Sequence, residues 1–208
     1  SIDLPLATSL GARCFYGCSN LTEIVLPNVT TIAANGFAQS GFKIITLPKL
    51  TRVTQQCFAD ARKLETVIIG SKEHPVTYVY SDNRTGDSAL TSGKLTPFYY
   101  CSALKKVIFV TANGSLSDIT LSNGNYVGTK SNSFATSNMY NITTNSIFQF
   151  IADSYSLIED SNFKYEIIRN KATITAYKGT ATEIEIPSTV KGASVTKIEN
   201  DVFYNLSI

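Results

Sequence analysis

The chain has 208 residues and a formal net charge of +2, with 43% hydrophobic residues and only 16% charged. That length fits one large domain or two small ones with a real core. The near-balanced charge, without runs of like sign, leaves no footprint for nucleic acid or an anionic membrane, and no apolar run reaches the roughly 18–20 residues that cross a bilayer.

A repeat is under way from the first residues, so the chain is expected to be a mature fragment or an excised piece. Leu-Pro pairs recur at Leu4-Pro5, Leu26-Pro27 and Leu47-Pro48, spaced 22 and 21 residues apart. Each proline is followed at fixed offsets by Ala7, Val29 and Leu50, then by Leu10, Ile32 and Val53, then by Phe15, Phe37 and Phe58. Ahead of the proline the pattern is apolar-x-x-apolar-x-apolar: Leu21, Ile24, Leu26; Phe42, Ile45, Leu47; Leu64, Val67, Ile69; Leu104, Val107, Phe109. Its last four residues alternate with the period of a strand. Proline cannot donate to a ladder, so it ends the strand and turns the chain away. Short helical or 3-10 turns are predicted near 11–16 and 33–37. The phenylalanines should then line up between successive coils, because no single repeat buries its apolar residues alone.

Two stretches break the period. From Gly70 to Phe98 is 28 residues, where other repeats use ten, so an insertion is placed at about 71–96. It holds His74, Tyr78, Tyr80 and a turn-like run at 81–86, and the alternation of 76–80 predicts a hairpin. Residues 111–160 show no repeat and are read as an irregular cap or linker. The alternating 172–177 predicts a strand, and 183–187 repeats the strand-plus-proline signature. Residues 195–205 restore the aliphatic-to-phenylalanine spacing with Phe203. The domain reading is therefore an array over 1–110, the irregular 111–160, and a strand pair with the start of a further, truncated repeat over 161–208.

The Leu-Pro pairs, the phenylalanine column and the small or Cys residues three positions after it (Cys18, Ser40, Ala61, Cys101) resemble BspA-like leucine-rich repeats, a bacterial and protist cell-surface family. The resemblance covers about 1–70, 98–110 and 163–205. It implies a mainly β solenoid with a parallel sheet and short helices or 3-10 turns, interrupted by the insertion and the irregular segment. It also implies an extracellular or cell-surface location and a role in adhesion or protein binding. The asparagine of the better-known repeat type is missing, so no asparagine ladder is expected.

Nothing in the chain spells out catalysis. His74 is the one histidine, too few for a histidine-based metal site. Cys14, Cys18, Cys57 and Cys101 lack C-x-x-C spacing. Residues of one column two coils apart sit near 10 Å, from a strand spacing of about 4.8 Å, beyond disulfide reach. Four free thiols are expected. No phosphate-binding glycine loop is present. The expectation is no enzyme, no cofactor and no metal.

The binding expectation falls on the sheet. With Leu21, Ile24 and Leu26 inward, alternate residues face out. One outward column reads Val25, Thr46, Ile68, Ile108, and the other reads Glu23, Ile44, Thr66, Lys106. This β-branched stripe is the candidate protein-binding face, since contiguous exposed apolar surface often marks a partner site. Against this, β-branched residues suit any strand, and 111–160 is long enough to fold over the face. Tyr78 and Tyr80 in the insertion form a second candidate. The expected partner is a protein of the host or matrix, without nucleic acid or membrane insertion. The competing readings are a structural spacer in a larger surface protein and a non-catalytic carbohydrate-targeting arm of an enzyme.

Overall fold

The computed structural model describes residues 1–83, 93–133, 135–181 and 183–204. Arg84, Thr85 and Gly86 of the turn-like run, and Asn205 of the last repeat segment, lie outside the described residues. The chain divides into two units, Ser1–Ala152 and Asp153–Ile208.

The first unit runs β1 (Ile2–Asp3), β2 (Ser9–Leu10), β3 (Ile24–Val25), β4 (Thr31–Ile32), β5 (Ile44–Leu47), β6 (Arg52–Val53), β7 (Thr66–Ile69), β8 (Tyr78–Val79), β9 (Lys106–Val110), β10 (Thr120–Leu121), β11 (Tyr126–Thr129), β12 (Met139–Asn141) and β13 (Phe148–Ile151). Among the described residues, short 3-10 turns accompany them at Gly93–Leu95, Leu116–Asp118 and Thr136–Asn138. All of these strands except β11 and β12 stack in parallel on two sides of a coil. One side pairs β1 with β3 and orders β13-β9-β7-β5; the other pairs β2 with β4 and orders β10-β8-β6. Register follows the repeat, with Ile45↔Val67↔Val107↔Phe148 in one row.

Between the two sheets the chain turns through a series of tight hydrogen-bonded bends at 11–16 and 33–37, where short helical or 3-10 turns are expected. After each phenylalanine a β-turn closes from its carbonyl to the N–H three residues on: Cys18, Ser40, Ala61 and Cys101 donate to Phe15, Phe37, Phe58 and Phe98. The third residue of each turn has positive φ, and the column reads Gly17, Gln39, Asp60, Tyr100. A turn of this kind demands the left-handed region at that place, which only glycine enters without steric cost. A second left-handed column precedes the phenylalanines at Arg13, Asn35 and Gln56. This geometry keeps the turn N–H groups directed along the stack. Phe37 and Gln39 donate to the carbonyls of Cys57 and Ala59, and Phe58 and Asp60 to those of Pro97 and Tyr99. The bends thus form a third ladder beside the two sheets, which satisfies backbone groups that burial would otherwise strand.

The phenylalanine column lies inside, as expected. Phe15, Phe37, Phe58 and Phe98 stack ring on ring at 5.8, 5.7 and 5.5 Å with interplanar angles of 12° or less. Phe37, Phe58 and Phe98 are fully buried. Val29, Leu50, Val53, Leu64 and Val67 close around them in one continuous core. Full burial of each such side chain contributes roughly 1.5–3 kcal/mol.

The predicted hairpin at 76–80 does not form. Tyr78 and Val79 instead pair in parallel with Arg52 and Val53 on one side and Thr120 and Leu121 on the other. The strand is real, but it continues the second sheet. Its register splits the extra residues of this repeat in two. Nine positions separate Gly70 from Val79 where five separate Pro48 from Val53, and nineteen separate Val79 from Phe98 where five separate Val53 from Phe58. Residues 111–152 add β10 to the second sheet and β13 to the first. The antiparallel pair β11–β12 rises between them.

The second unit is a five-stranded sheet of β14 (Tyr155–Glu159), β15 (Phe163–Ile168), β16 (Lys171–Tyr177), β17 (Thr189–Val190) and β18 (Ala193–Ile198), in the order β14-β15-β16-β18-β17. Arg169 and Asn170 connect β15 to β16, and Lys191 and Gly192 connect β17 to β18, each pair with φ of +49° to +80°. That is the signature of two-residue primed hairpin turns. Phe163, Tyr165, Ala172, Ile174 and Ala193 form the core, with Phe203 packed on it. The stretch 172–177 is a strand as predicted. The stretch 183–187 is not: it pairs with none of the strands of this sheet. The repeat's local geometry does return at Asp201, two residues before Phe203, with φ of +62°.

Candidate functional site

The outward columns of the first sheet are built by alternation, since Val67, Ile69, Val107 and Phe109 belong to the interior cluster and their neighbours point the other way. The structure divides the eight predicted residues. Glu23, Val25, Ile44 and Thr46 are exposed, Val25 by 44% and Ile44 by 50%. Thr66 and Lys106 are half-buried. Ile68 and Ile108 are 1% and 0% exposed, so they do not stand free in solvent as the alternation suggested. Alternation fixes the direction of a side chain but not what covers it, and both lie outside the interior cluster. The open apolar surface therefore narrows to the β3 and β5 end of the stripe.

Charge gathers along one margin of this sheet. The residues just ahead of β5, β7 and β9 are Lys43, Glu65 and Lys105, one column in register. Lys105 Nζ lies 2.7 Å and Lys43 Nζ 3.9 Å from Glu65, bridging three coils. The Lys105 hydrogen bond holds the Glu65 carboxyl below its ordinary pKa. Asp3 stands beside Val25 in the outward row, so that row ends on an acid.

Tyr78 and Tyr80 stand apart from this face, on the second sheet. Tyr78 is half-buried with the Arg52 guanidinium 4.0 Å over its ring, and Tyr80 donates its backbone N–H to Val53. His74 closes a tight turn with Ser71, the two exchanging backbone hydrogen bonds at 3.1 Å. All four cysteines are free thiols. Cys57 and Cys101 are buried, and burial pushes their thiols far above the ordinary range, which makes them inert packing residues rather than nucleophiles. Cys101 Sγ donates to the Phe58 carbonyl, and Tyr140 Oη reaches the Cys101 carbonyl at 2.6 Å. Among the described residues no group of three or more His, Cys, Asp or Glu is placed to hold a metal ion, and no helix is long and apolar enough to cross a membrane.

Sequence reasoning missed a second set of polar side chains. The left-handed columns bring Asn35 to Gln56 at 3.2 Å and Gln39 to Asp60 at 3.1 Å across adjacent coils. Their signal was present in the sequence as polar residues two before and two after both Phe37 and Phe58.

No curated protein and no solved structure matches the chain. A family model described as a BspA type leucine rich repeat region matches residues 1–105, in six copies. Repeats of this type are non-catalytic scaffolds. The match spans half the chain and coincides with the coils whose strands, prolines and stacked phenylalanines are described above; the chain belongs to the BspA-type leucine-rich repeat family.

Proposed function

We propose that this chain is a cell-surface or secreted binding module, and that it engages a protein partner through the open end of its first parallel sheet. The observation that carries the reading is the exposure of Val25 and Ile44, side by side with Thr46, on a face where solvent would favour polar residues. The Lys43–Glu65–Lys105 column gives the patch a polar margin of the kind that surrounds binding surfaces. In this reading residues 111–152 act as the cap of the array.

The test is a pull-down with host matrix proteins, comparing the wild-type chain with the Val25→Glu, Ile44→Glu double variant. Both side chains are exposed, so the variant should fold normally and lose capture. A variant that captures the same proteins with unchanged affinity removes the sheet face from the reading. Ile68→Glu is unsuitable for this purpose, because it forces a charge into a buried position and destabilises the fold itself.

A further inference from the structure

The residues that follow the phenylalanines form a column reading Tyr16, Ala38, Ala59, Tyr99. Where alanine replaces tyrosine in the two middle coils, the surface falls away into a trough of about 170 Å³. Ala38 and Ala59 make its floor and are both buried. Tyr16, 47% exposed, and Tyr99 stand at its two ends. The left-handed columns supply the walls. Asn35 Nδ2 donates to Gln56 Oε1 on one side, and Gln39 Nε2 donates to Asp60 Oδ2 on the other. Lys94 sits on the rim. A second depression, of about 340 Å³, shares Gln39 and Asp60 and extends past Gly41 to Arg62 and Lys63.

We propose that this trough is a carbohydrate-binding subsite for a neutral pyranose within a longer glycan. It has the size of one sugar ring, and the adjoining depression gives room for a neighbour in the same chain. Amide and carboxylate groups set side by side offer the paired donors and acceptors that adjacent hydroxyls require. Asp60 accepts from Gln39 and from Arg62 Nε at 2.7 Å. A carboxylate offers about four acceptor positions, so sites remain for a ligand hydroxyl. The same Arg62 balances its charge, so the facing wall groups of Asn35, Gln39, Gln56 and Asp60 present a hydrogen-bonding surface without net charge, and the contribution of Lys94 and Lys63 at the margins is what the acidic controls test. The exposed Tyr16 ring offers an apolar surface for the C–H edge of a sugar, while Tyr99 closes the other end with its ring packed against Met139. An extended peptide is a poorer fit. The backbone N–H groups of Phe37, Gln39, Phe58 and Asp60 all donate to the next coil, so no strand edge is on offer for β-addition. The positive φ at Asn35, Gln39, Gln56 and Asp60 belongs to the turn geometry of every coil, so these positions can vary in side chain without disturbing the core.

The trough is on the turns, not on the sheet, so its test is independent of the protein-binding reading. Isothermal titration of the whole chain against cellohexaose, laminarihexaose, mannohexaose and xylohexaose, with heparin and alginate oligosaccharides as acidic controls, decides it. At least one neutral oligosaccharide should bind, with an affinity unchanged when salt is raised to about 0.5 M. Ala59→Tyr, which fills the floor, should weaken that binding at least about tenfold. The pair Asn35→Ala, Gln39→Ala should do the same and covers the case in which Ala59→Tyr fails to fold by circular dichroism. Val25→Glu, Ile44→Glu should leave glycan binding intact. The inference is overturned if none of the four neutral oligosaccharides binds, if folded trough variants bind as wild type, or if only the acidic oligosaccharides bind and do so in a salt-dependent way.

Discussion

The two units of this chain solve the same burial problem by opposite means. In Ser1–Ala152 each coil contributes one member to each of several columns, and the core is the stack of those columns: Phe15, Phe37, Phe58 and Phe98, with Phe148 tilted at the far end. Its parallel ladders join residues about twenty or more positions apart, and only the antiparallel β11–β12 pair is local among its described strands. In Asp153–Ile208 strands β14, β15 and β16 are joined by short connections into an antiparallel meander, and a small cluster around Phe163 and Tyr165 suffices. The first unit is a sum of nearest-neighbour interfaces. The second is an ordinary small sheet whose register is set by its turns.

The largest break in this contrast comes from Phe58→Ala. Phe58 is fully buried with a ring stacked on each side, and the expected cost is about 4 kcal/mol. Amide hydrogen exchange should show protection lost in coils on both sides of the vacancy, with β15 and β16 retaining theirs. Uniform loss over the whole chain would mean that the units do not unfold separately. A smaller effect is expected from Gly128→Ala. A Cβ at Gly128 would lie 2.3 Å from the Phe98 carbonyl oxygen, so β11 must move, at about 2 kcal/mol. Urea titration should show a lowered midpoint, and a variant as stable as wild type would show that the β11–β12 excursion is loosely held.

How much of this was legible in the sequence depends on where column spacing survives. The phenylalanines to Phe58 and the strands to β9 were readable because their offsets hardly change. Phe148 was missed because the β11–β12 pair pushes it far from any offset the earlier coils use. The strand at Tyr78–Val79 was found by alternation but given the wrong partner, since alternation carries no information on pairing. Residues 183–187 alternate as well as any strand, yet they join no ladder of the sheet. The sheet-face residues were placed in the right direction, but the cover over Ile68 and Ile108 was not encoded in their own strands. The trough was missed because its floor is two alanines, which no motif search singles out.

The smallest effect sharpens the comparison from the side of the second unit. Burial opposes the charge on Asp160, yet the N–H groups of Phe163 and Asn162, the Tyr165 hydroxyl and Lys178 outweigh it and hold its carboxyl below the ordinary value. A depressed carboxylate contributes stability that is present above its unfolded-state pKa of about 3.9 and is lost as pH falls through the lower folded-state value. Asp160→Asn should flatten the acid limb of unfolding for β15 and β16 below about pH 4, with the first unit unchanged. An acid limb identical to wild type in both units would show that the carboxylate contributes nothing to the fold.

The unequal spacing between Val79 and Phe98 has a practical consequence. The array asks only that the chain return to the next column on time, and nineteen residues satisfy it as well as five do. Closing a longer loop costs little more, about 0.6 kcal/mol for each doubling of length. The enlarged spacing between Gly70 and Val79 follows the same rule, and its exposed turn at Lys72 and Glu73 is a natural port for grafting foreign segments, where a new epitope or enzyme fragment can be displayed while the rings beneath keep their register.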